Sequence, residues 1–409
     1  MAGDSSDHGA PTRREYVKYG GAVVGGGLLA GCAGQGDGGS TPTETETDES
    51  TATESSTPED QSYSVTMSPM GTVEFEEVPE SAVAFDDQWI DHMVALGQAD
   101  KVAGLARPDG YFTEYYKQLP GVSLDTDSIE KIWGGDSIDK EVLYSVDADV
   151  HHIDPIRSTQ NLGFDEADVE EVRERIGPYF ANRYSRSHNA PESVDEYQYY
   201  TLWELAEKFA QVYQVPGRVE QLKQIRDEMV ADIESNLPPE DERPTVGLVA
   251  FWDKNEKWYP YKINQEGFGR SHYQHLGVDD AFDDSDKTYN ASYDAAYDHE
   301  GMLDIDPDIL IQHFGITYPD SGESSMEQSV YEPVRNDPVA SELTAVKNGR
   351  FYAGGTAFQG PLYNLFQIEI AAKQIYPDRF GEFRGVGNTP ESEQMFDRQR
   401  VADIVNGEI

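Results

Sequence analysis

The stretch PGRVEQLKQIRDEMVADIESNLP, residues 216–238, decides the fold because it predicts one long helix. Pro216 is tolerated in a first helical turn, and the pair Pro238-Pro239 ends the helix. At a rise of about 1.5 Å per residue the helix spans roughly 30 Å, about one domain width. Its apolar residues recur at steps of three or four and form one buried face: Val219, Leu222, Ile225, Met229, Ile233 and Leu237. Such a helix either joins two lobes or lies on the surface of a single large domain.

The segments on both sides of this helix favour α/β structure. Before it, residues 82–85 predict a strand, residues 89–96 a helix that ends at Gly97, and residues 102–105 a second strand. Strand, helix and strand at this spacing indicate parallel strands. After it, the apolar run TVGLVAF at residues 245–251 is typical of a buried strand.

An internal repeat favours two similar lobes. Residues 138–150 and 297–309 align without a gap, so that four acidic positions are identical and three apolar positions are alike. The pairs are Asp139 with Asp298, Glu141 with Glu300, Leu143 with Met302, Val146 with Ile305, Asp147 with Asp306, Asp149 with Asp308, and Val150 with Ile309. One helix–strand unit repeated in each half predicts two lobes with mostly parallel sheets, joined by the long helix.

The start of the chain predicts a membrane-tethered protein. Residues 12–18, TRREYVK, form a twin-arginine pattern, and the apolar run 19–29 is too short to span a bilayer. Cys32 is the only cysteine and follows small residues, as a lipid attachment site does, although an incidental buried thiol is the alternative. We therefore expect a signal peptide over 1–31 and a lipidated Cys32 on the outer membrane face. Residues 32–61 are rich in Thr, Ser and Glu and predict a disordered tether.

The charge of the chain restricts its partners. The sequence has 77 acidic and 31 basic residues, a formal net charge of −46. Nucleic acids and anionic membrane surfaces need clustered positive charge, so the composition excludes both as partners. In about 1 M salt the Debye length falls to about 3 Å, and self-repulsion largely vanishes. We infer a halophilic, haloarchaeal type of surface protein.

This inference predicts a salt-dependent stability. The melting temperature should rise between low and molar potassium chloride, because salt screens the repulsion among surface carboxylates. Thermal unfolding followed by circular dichroism over that range measures the effect. A melting temperature that does not change would contradict halophilic adaptation.

Several segments, in this order, resemble the substrate-binding proteins of ABC importers for ferric siderophores and cobalamin. They are residues 82–105, the two acidic segments described above, residues 203–246, and residues 337–338, 343–352 and 368–380. The resemblance covers residues 65–383. The sequence departs from the family over residues 155–200, which are richer in Tyr and Arg than expected.

The resemblance implies a domain organisation and a function. The N-terminal lobe is expected over 62–215, the interlobe helix over 216–237, the C-terminal lobe over 238–388 and a tail helix over 389–409. The protein is expected to be a monomeric binding protein without enzymatic activity or a resident cofactor. It would capture a metal chelate, foremost a ferric siderophore, and deliver it to a permease that works with an ATPase. The alternatives are cobalamin or haem on the same scaffold, or a surface-anchored hydrolase or sensor without transport.

The resemblance also implies a docking role for Glu141 and Glu300, one on each lobe. Two exposed carboxylates can set the register and orientation of the protein against arginine pockets of the permease. The alternative is that each carboxylate only stabilises the N-terminus of its own helix.

The ligand should bind at the carboxyl ends of the strands, as in open α/β sheets. Large rings suit a bulky chelate, and arginines can hold its anionic oxygens. The aromatic candidates are Tyr111, Trp133, Trp252, Trp258, Tyr261 and Tyr318, and the cationic candidates are Arg183, Arg186 and Arg270. For each ring the alternative is ordinary packing, and for each arginine it is a surface salt bridge.

Bare-metal binding and catalysis have little support in the sequence. His151 and His152 are neighbours in a predicted strand and would point to opposite faces. His272 and His275 would share a helix face, but no third ligand is evident. No zinc-protease pattern, nucleophile elbow or phosphate-binding glycine loop is present in the 409 residues.

Overall fold

The computed structural model describes residues 62–194, 196–252, 255–288, 295–317 and 326–409, and for Trp252 it describes the backbone only. In the first half of the chain the elements are β1 (Tyr63–Met67), β2 (Gly71–Phe75), β3 (Ala82–Ala84), α1 (Asp87–Ala95), β4 (Val102–Leu105), β5 (Glu130–Lys131), α2 (Lys140–Val146), β6 (Val150–His152), α3 (Pro155–Asn161), α4 (Glu166–Arg175) and α5 (Leu202–Val212). From the long helix onward they are α6 (Pro216–Asn236), β7 (Thr245–Trp252), β8 (Lys257–Tyr261), α7 (Ser271–Gln274), β9 (Asp279–Asp280), α8 (His299–Ile305), β10 (Ile309–Gln312), α9 (Glu332–Asn336), α10 (Thr344–Lys347), β11 (Phe351–Ala353), α11 (Pro361–Ile375), α12 (Pro377–Phe380) and α13 (Arg398–Asn406).

Two central sheets lie on either side of α6 in the chain. The first has the order β5-β4-β3-β6, and all of its strand pairs are parallel. The second has the order β11-β10-β7-β8, with β9 also paired to β7, and only the β7–β8 pair is antiparallel. Strands β1 and β2 form a separate antiparallel hairpin. The predicted fold class, α/β with mostly parallel sheets, is confirmed.

The long helix lies where the sequence predicts it. Helix α6 begins at Pro216 and ends at Asn236, and its buried residues are Val219, Leu222, Ile225, Met229, Val230 and Ile233. Leu237 follows the last turn and is partly buried against the core. The apolar face therefore follows the 3.6-residue period. The last long helix, α11, begins at Pro361 and ends at Ile375, so it includes the first part of the segment 368–380 named in the family resemblance.

The acidic repeat is a repeat of structure as well as of sequence. Asp139 accepts hydrogen bonds from the amides of the first turn of α2, and Asp298 does the same for α8. Both helices end at an aspartate in the left-handed conformation, Asp147 at φ 48° and Asp306 at φ 44°. Aspartate tolerates this conformation better than most residues, because its short side chain bonds locally.

A second pair of aspartates ties neighbouring strands together. Asp149 Oδ2 accepts from the backbone N of Ser81 at 3.0 Å, immediately before the register pair Ala82 and Val150. In the other sheet, Asp308 Oδ2 accepts from the backbone N of Thr245 at 2.9 Å. The two halves thus use the same device to set the register of β6 against β3 and of β10 against β7.

One apolar core extends through both sheets. The largest cluster of buried residues includes Ala82 and Val102 from the first sheet and Val246 and Ile309 from the second. Helix α11 belongs to it, and all 15 of its residues are buried. Among the residues described, no helix is long and apolar enough to cross a membrane.

A buried carboxylate fixes the N-terminus of α11. Asp91 on α1 is fully buried, and its Oδ2 accepts from the backbone N of Tyr363 at 3.0 Å. Its Oδ1 accepts from the hydroxyl of Tyr116 at 2.9 Å. Burial raises the pKa of Asp91 to about 7, and the hydrogen bonds from Tyr363 and Tyr116 oppose that rise. The contact joins α1 of the first half to α11 of the second.

Candidate functional site

Four arginines from distant parts of the chain converge, and we call Arg157, Arg183, Arg186 and Arg270 the cationic cluster. Arg157 lies on α3, and Arg183 directly precedes the 3₁₀ turn Tyr184–Arg186, which Arg186 ends. Arg270 ends the turn Phe268–Arg270 before α7. Guanidinium nitrogens of Arg157 and Arg183 lie 3.4 and 3.3 Å from the same carboxylate oxygen, Asp86 Oδ1. The cluster therefore joins residues that precede α6 to one that follows it.

The sheet topology explains this convergence. Asp86 follows β3, and Arg157 follows β6 on the first turn of α3. His313 comes directly after β10, and Phe358 follows β11. All four strands are parallel members of their sheets, and ligand sites of open α/β sheets lie beyond such carboxyl ends.

Arg186 packs against an aromatic ring. Its guanidinium carbon lies 3.8 Å from the centre of the Phe358 ring, a cation–π contact. Burial, reinforced by Arg183 and opposed by Asp86, lowers the pKa of Arg186 well below its usual value. Its Nε and Nη1 atoms have no hydrogen-bond partner within the described part of the chain. Buried N–H donors without partners are costly, so these atoms are suited to an anionic ligand.

Arg270 approaches the cluster from the second half of the chain. Its Nη1 donates to Gln265 Oε1 at 3.3 Å, and its guanidinium carbon lies 5.2 Å from the centre of the Tyr261 ring. Burial lowers the pKa of Arg270 to about 10, and the Nε atom has no partner among the described residues. Arg270 remains a cation at neutral pH.

A neutral imidazole lies beside these cations. The ring of His313 packs on Tyr261 at 4.8 Å and on Phe314 at 3.9 Å between centroids. Burial, then the charges of Arg270 and its neighbours, lowers the pKa of His313 well below its usual value. Neither ring nitrogen has a hydrogen-bond partner in the described residues. The site therefore holds a neutral ring with polar atoms that a ligand can use.

Two glycines allow the two halves of the site to touch. Gly267 has φ +103°, and a Cβ there would lie 2.5 Å from the backbone oxygen of Arg186. A Cβ at Gly269 would lie 3.0 Å from Arg186 Cγ. This contact involves the Tyr- and Arg-rich segment where the sequence departs from the family pattern. That segment brings Arg183 and Arg186 against the second half of the chain.

The structure brings together four of the residues named from the sequence: Arg183, Arg186, Arg270 and Tyr261. Trp133 lies at the edge of this group. The centroid of its ring is 5.4 Å from that of Phe85, and the guanidinium carbon of Arg157 lies 5.2 Å from the Phe85 centroid. Their role in ligand binding stays a prediction.

Two other predicted residues lie elsewhere. The hydroxyl of Tyr111 pairs with that of Tyr116 at 2.7 Å, in the buried group around Asp91. Trp258 is fully buried, packs on Phe251 at 4.6 Å and donates its indole N–H to His299 Nδ1. The ring contacts of Tyr111 and Trp258 among the described residues do not include the cationic cluster. Large rings that bury well in a cleft bury equally well in a core.

Three predicted residues cannot be placed. The side chain of Trp252, at the end of β7, is not described, and Tyr318 and Cys32 lie outside the described residues.

Glu141 and Glu300 are both exposed and occupy the first turns of α2 and α8. The two glutamates thus have equivalent positions in the structural repeat.

The histidines named from the sequence do not form joint metal sites in the described part of the chain. His152 Nε2 contacts the Tyr213 hydroxyl at 2.8 Å, whereas His151 packs on Tyr179 on the other face of the sheet. His272 pairs with Gln359, and His275 with Arg226. No group of three or more His, Cys, Asp or Glu residues that could hold a metal is found among the described residues.

The sequence reasoning missed Asp86, Arg157, His313 and Phe358. His313 comes directly after β10, and Asp86 comes two residues after the end of β3, and these positions alone could have marked them as candidates. Arg157 and Phe358 carry no comparable local signal, because each follows its strand by several residues.

The fold is that of the two-lobed periplasmic binding proteins. The petrobactin-binding protein YclQ from Bacillus subtilis matches with a TM-score of 0.55 and 16% identity, over 77% of this chain and 99% of that chain. The iron-uptake ABC transporter substrate-binding protein PiuA from Streptococcus pneumoniae matches with a TM-score of 0.54 and 17% identity, over 76% and 98%. A periplasmic binding protein from Veillonella parvula matches with a TM-score of 0.54 and 18% identity, over 77% and 97%.

The sequence itself also carries a family signal. A family model described as "Periplasmic binding protein" matches residues 186–357, which begin in the cationic cluster and end beside Phe358. The family model and the structural neighbours are thus binding proteins, and PiuA is the substrate-binding protein of an ABC transporter. No curated protein matches the chain.

The contact at Gly267 gives a testable prediction. Gly267→Ala should weaken the interlobe contact, because the new Cβ would meet the Arg186 carbonyl and the backbone would be strained. We expect a loss of about 2 kcal/mol or more in the free energy of unfolding. Small-angle X-ray scattering should also show a larger radius of gyration, as the lobes separate.

Gly135→Ala is the matched control. Gly135 has a similar φ of +112°, but no described atom lies within 4 Å of a Cβ built there. That variant should show the backbone strain without the change in radius. Equal behaviour of the two variants in both measurements would contradict an interlobe role for Gly267.

Proposed function

We propose that this protein is the extracytoplasmic substrate-binding component of an ABC importer, and that it captures an anionic ferric siderophore. The cationic cluster is the observation that carries this proposal. In a chain of net charge −46, surface arginines would find carboxylates readily, yet Arg186 and Arg270 keep buried N–H donors that have no hydrogen-bond partner among the described residues. Such a site discriminates by charge, since charge-assisted hydrogen bonds are about twice as strong as neutral ones.

Charge also separates the candidate ligands. A ferric tris-catecholate is multiply anionic, whereas a ferric trihydroxamate or cobalamin is close to neutral. Arg183, Arg186 and Arg270 would bind the anionic oxygens, and the rings of Phe358 and Phe85 offer flat apolar faces. Haem, with its two propionates, is the alternative that the same charges would also accept.

Capture would require only a small closure of the lobes. Arg183 and Arg186 belong to the first half and Arg270 and His313 to the second, so a bound chelate would contact both. The shared apolar core and the long helix α6 limit the hinge, in contrast to binding proteins with flexible interlobe strands.

Delivery would occur at the membrane. Lipidated Cys32 would anchor the protein on the extracellular face, and residues 32–61 would give it reach toward a permease and its ATPase. Glu141 and Glu300 would dock on arginine pockets of the permease, because equivalent exposed carboxylates on two lobes define both position and orientation.

Ligand binding can be tested with the five tryptophans of the chain as fluorescent reporters. Titration in molar salt should show saturable quenching by a ferric catecholate at micromolar concentration or below. Ferric hydroxamate, cobalamin and haem serve as the competing ligands. Replacing Arg183 and Arg186 together by Ala should weaken catecholate binding by about two orders of magnitude or more, since hydrogen bonds to charged groups contribute about 1.5–3 kcal/mol each.

The control is a second pair of arginines. Arg173 and Arg175 on α4 are exposed and pair with Glu170 and Glu171, so their replacement by Ala removes the same charge from the surface. Catecholate affinity should be unchanged in this variant. If none of the four ligands quenches the fluorescence of the unmodified protein, the proposal is overturned. Equal losses of catecholate affinity in both variants would contradict a specific role for the cluster.

Docking has its own test. Reversal of both charges, Glu141→Lys with Glu300→Lys, should abolish uptake in cells, because the permease arginines would then be repelled. Chelate affinity in solution should not change, since both residues lie on helices outside the cationic cluster. Normal uptake by the double variant would refute docking by these residues.

A further inference from the structure

Asp154 lies between β6 and α3 and is fully buried. Its Oδ1 atom accepts from the backbone N of Ile156 at 2.9 Å and of Arg157 at 3.4 Å. Its Oδ2 atom accepts from the backbone N of Arg183 at 2.8 Å and from the Tyr197 hydroxyl at 2.7 Å. Both carboxylate oxygens are therefore fully used, and neither is free for a ligand.

These bonds connect Asp154 to two members of the cationic cluster. One oxygen caps the helix that carries Arg157, and the other holds the backbone of Arg183. The two guanidinium groups then meet at Asp86. Residues 178–180 already pair with β6 through His151, and Asp154 adds the contact that joins the first turn of α3 to the backbone at Arg183.

Tyr197 extends the arrangement into the Tyr-rich segment. Its hydroxyl donates to Asp154 and accepts from the backbone N of Tyr184 at 3.3 Å. Its ring also packs edge-on against Tyr184 at 5.6 Å. Tyr184 lies between Arg183 and Arg186, so the network fixes the turn that presents both arginines.

We infer that Asp154 is a positioning residue that presets the cationic cluster for an anionic ligand, an inference that rests on the proposed function. A preorganised site avoids the entropy cost of ordering long arginine side chains when the ligand binds. Asp154 touches no ligand itself and acts through the backbone of Arg157 and Arg183.

Asp154→Asn tests this role with little change in size. The amide nitrogen replaces one acceptor oxygen, so either the helix cap or the Arg183 and Tyr197 donors lose their partner. In the full chain, affinity for a ferric tris-catecholate should fall about tenfold. The affinity for a neutral ferric trihydroxamate, measured in parallel, should be the same in the variant as in the unmodified protein. A merely structural defect would weaken the binding of both chelates alike.

Asp139→Asn is the matched control. Asp139 caps α2 through the same kind of paired amide bonds, at 3.0 and 3.2 Å, but contacts no residue of the cationic cluster. This variant should bind the catecholate normally. Tyr197→Phe is the second test variant, because it leaves the helix cap intact, and it should weaken the catecholate about threefold.

Amide hydrogen exchange provides a readout that needs no ligand. The amides of Arg183 and Tyr184 should exchange faster in Asp154→Asn, and that of Tyr184 faster in Tyr197→Phe, but neither should change in Asp139→Asn. If Asp154→Asn does not fold, Tyr197→Phe decides the question by the same measurements.

The outcomes separate the two proposals. Equal losses for anionic and neutral chelates, or unchanged exchange at Arg183 and Tyr184, would overturn the positioning role. Absence of chelate binding by the unmodified protein would instead refute the proposed function, and with it the ligand part of this inference.

Discussion

The burial of arginine charge is the constraint around which the site is built. A guanidinium group removed from water must find an anion, a hydrogen-bond acceptor or an aromatic face. Asp86 serves Arg157 and Arg183, and the ring of Phe358 covers Arg186. Among the described residues these partners leave Nε and Nη1 of Arg186 without a hydrogen bond, and these donors support the proposal of an anionic ligand.

The same constraint explains why the surrounding framework is rigid. Cations that repel one another need a backbone held in place by other contacts. Asp154 provides such contacts, since it accepts hydrogen bonds from the backbone N–H groups of Arg157 and Arg183. In the second half of the chain, Gly267 has no side chain, so its backbone can lie directly against the backbone of Arg186. The site therefore depends on contacts made by main-chain atoms as much as on the charged side chains.

Much of the fold could be predicted from the sequence, because its signals are local. The period of the apolar residues predicts α6, and the acidic repeat predicts equivalent helices that cap and end in the same way. Part of the site was also predictable, since arginines are rare in this chain and Arg183 and Arg186 stand together. Asp86 and His313 could have been marked by their positions after strands. Their partners, like those of Asp154, depend on which strand ends meet in space, and no local pattern predicts that. The role of an aromatic residue is difficult to predict for a related reason. The sequence around Trp258, for example, is equally compatible with a ligand cleft and with the core, where the residue is fully buried.

The fully buried helix α11 has a consequence for the two lobes as a folding unit. Its contacts with α1 and α7 place it in the interior of both lobes at once. Neither lobe can lose its structure without exposing the apolar side chains of this helix to water. The lobes are therefore coupled in unfolding and should melt in a single cooperative transition, even though the sheets themselves are built from separate parts of the chain.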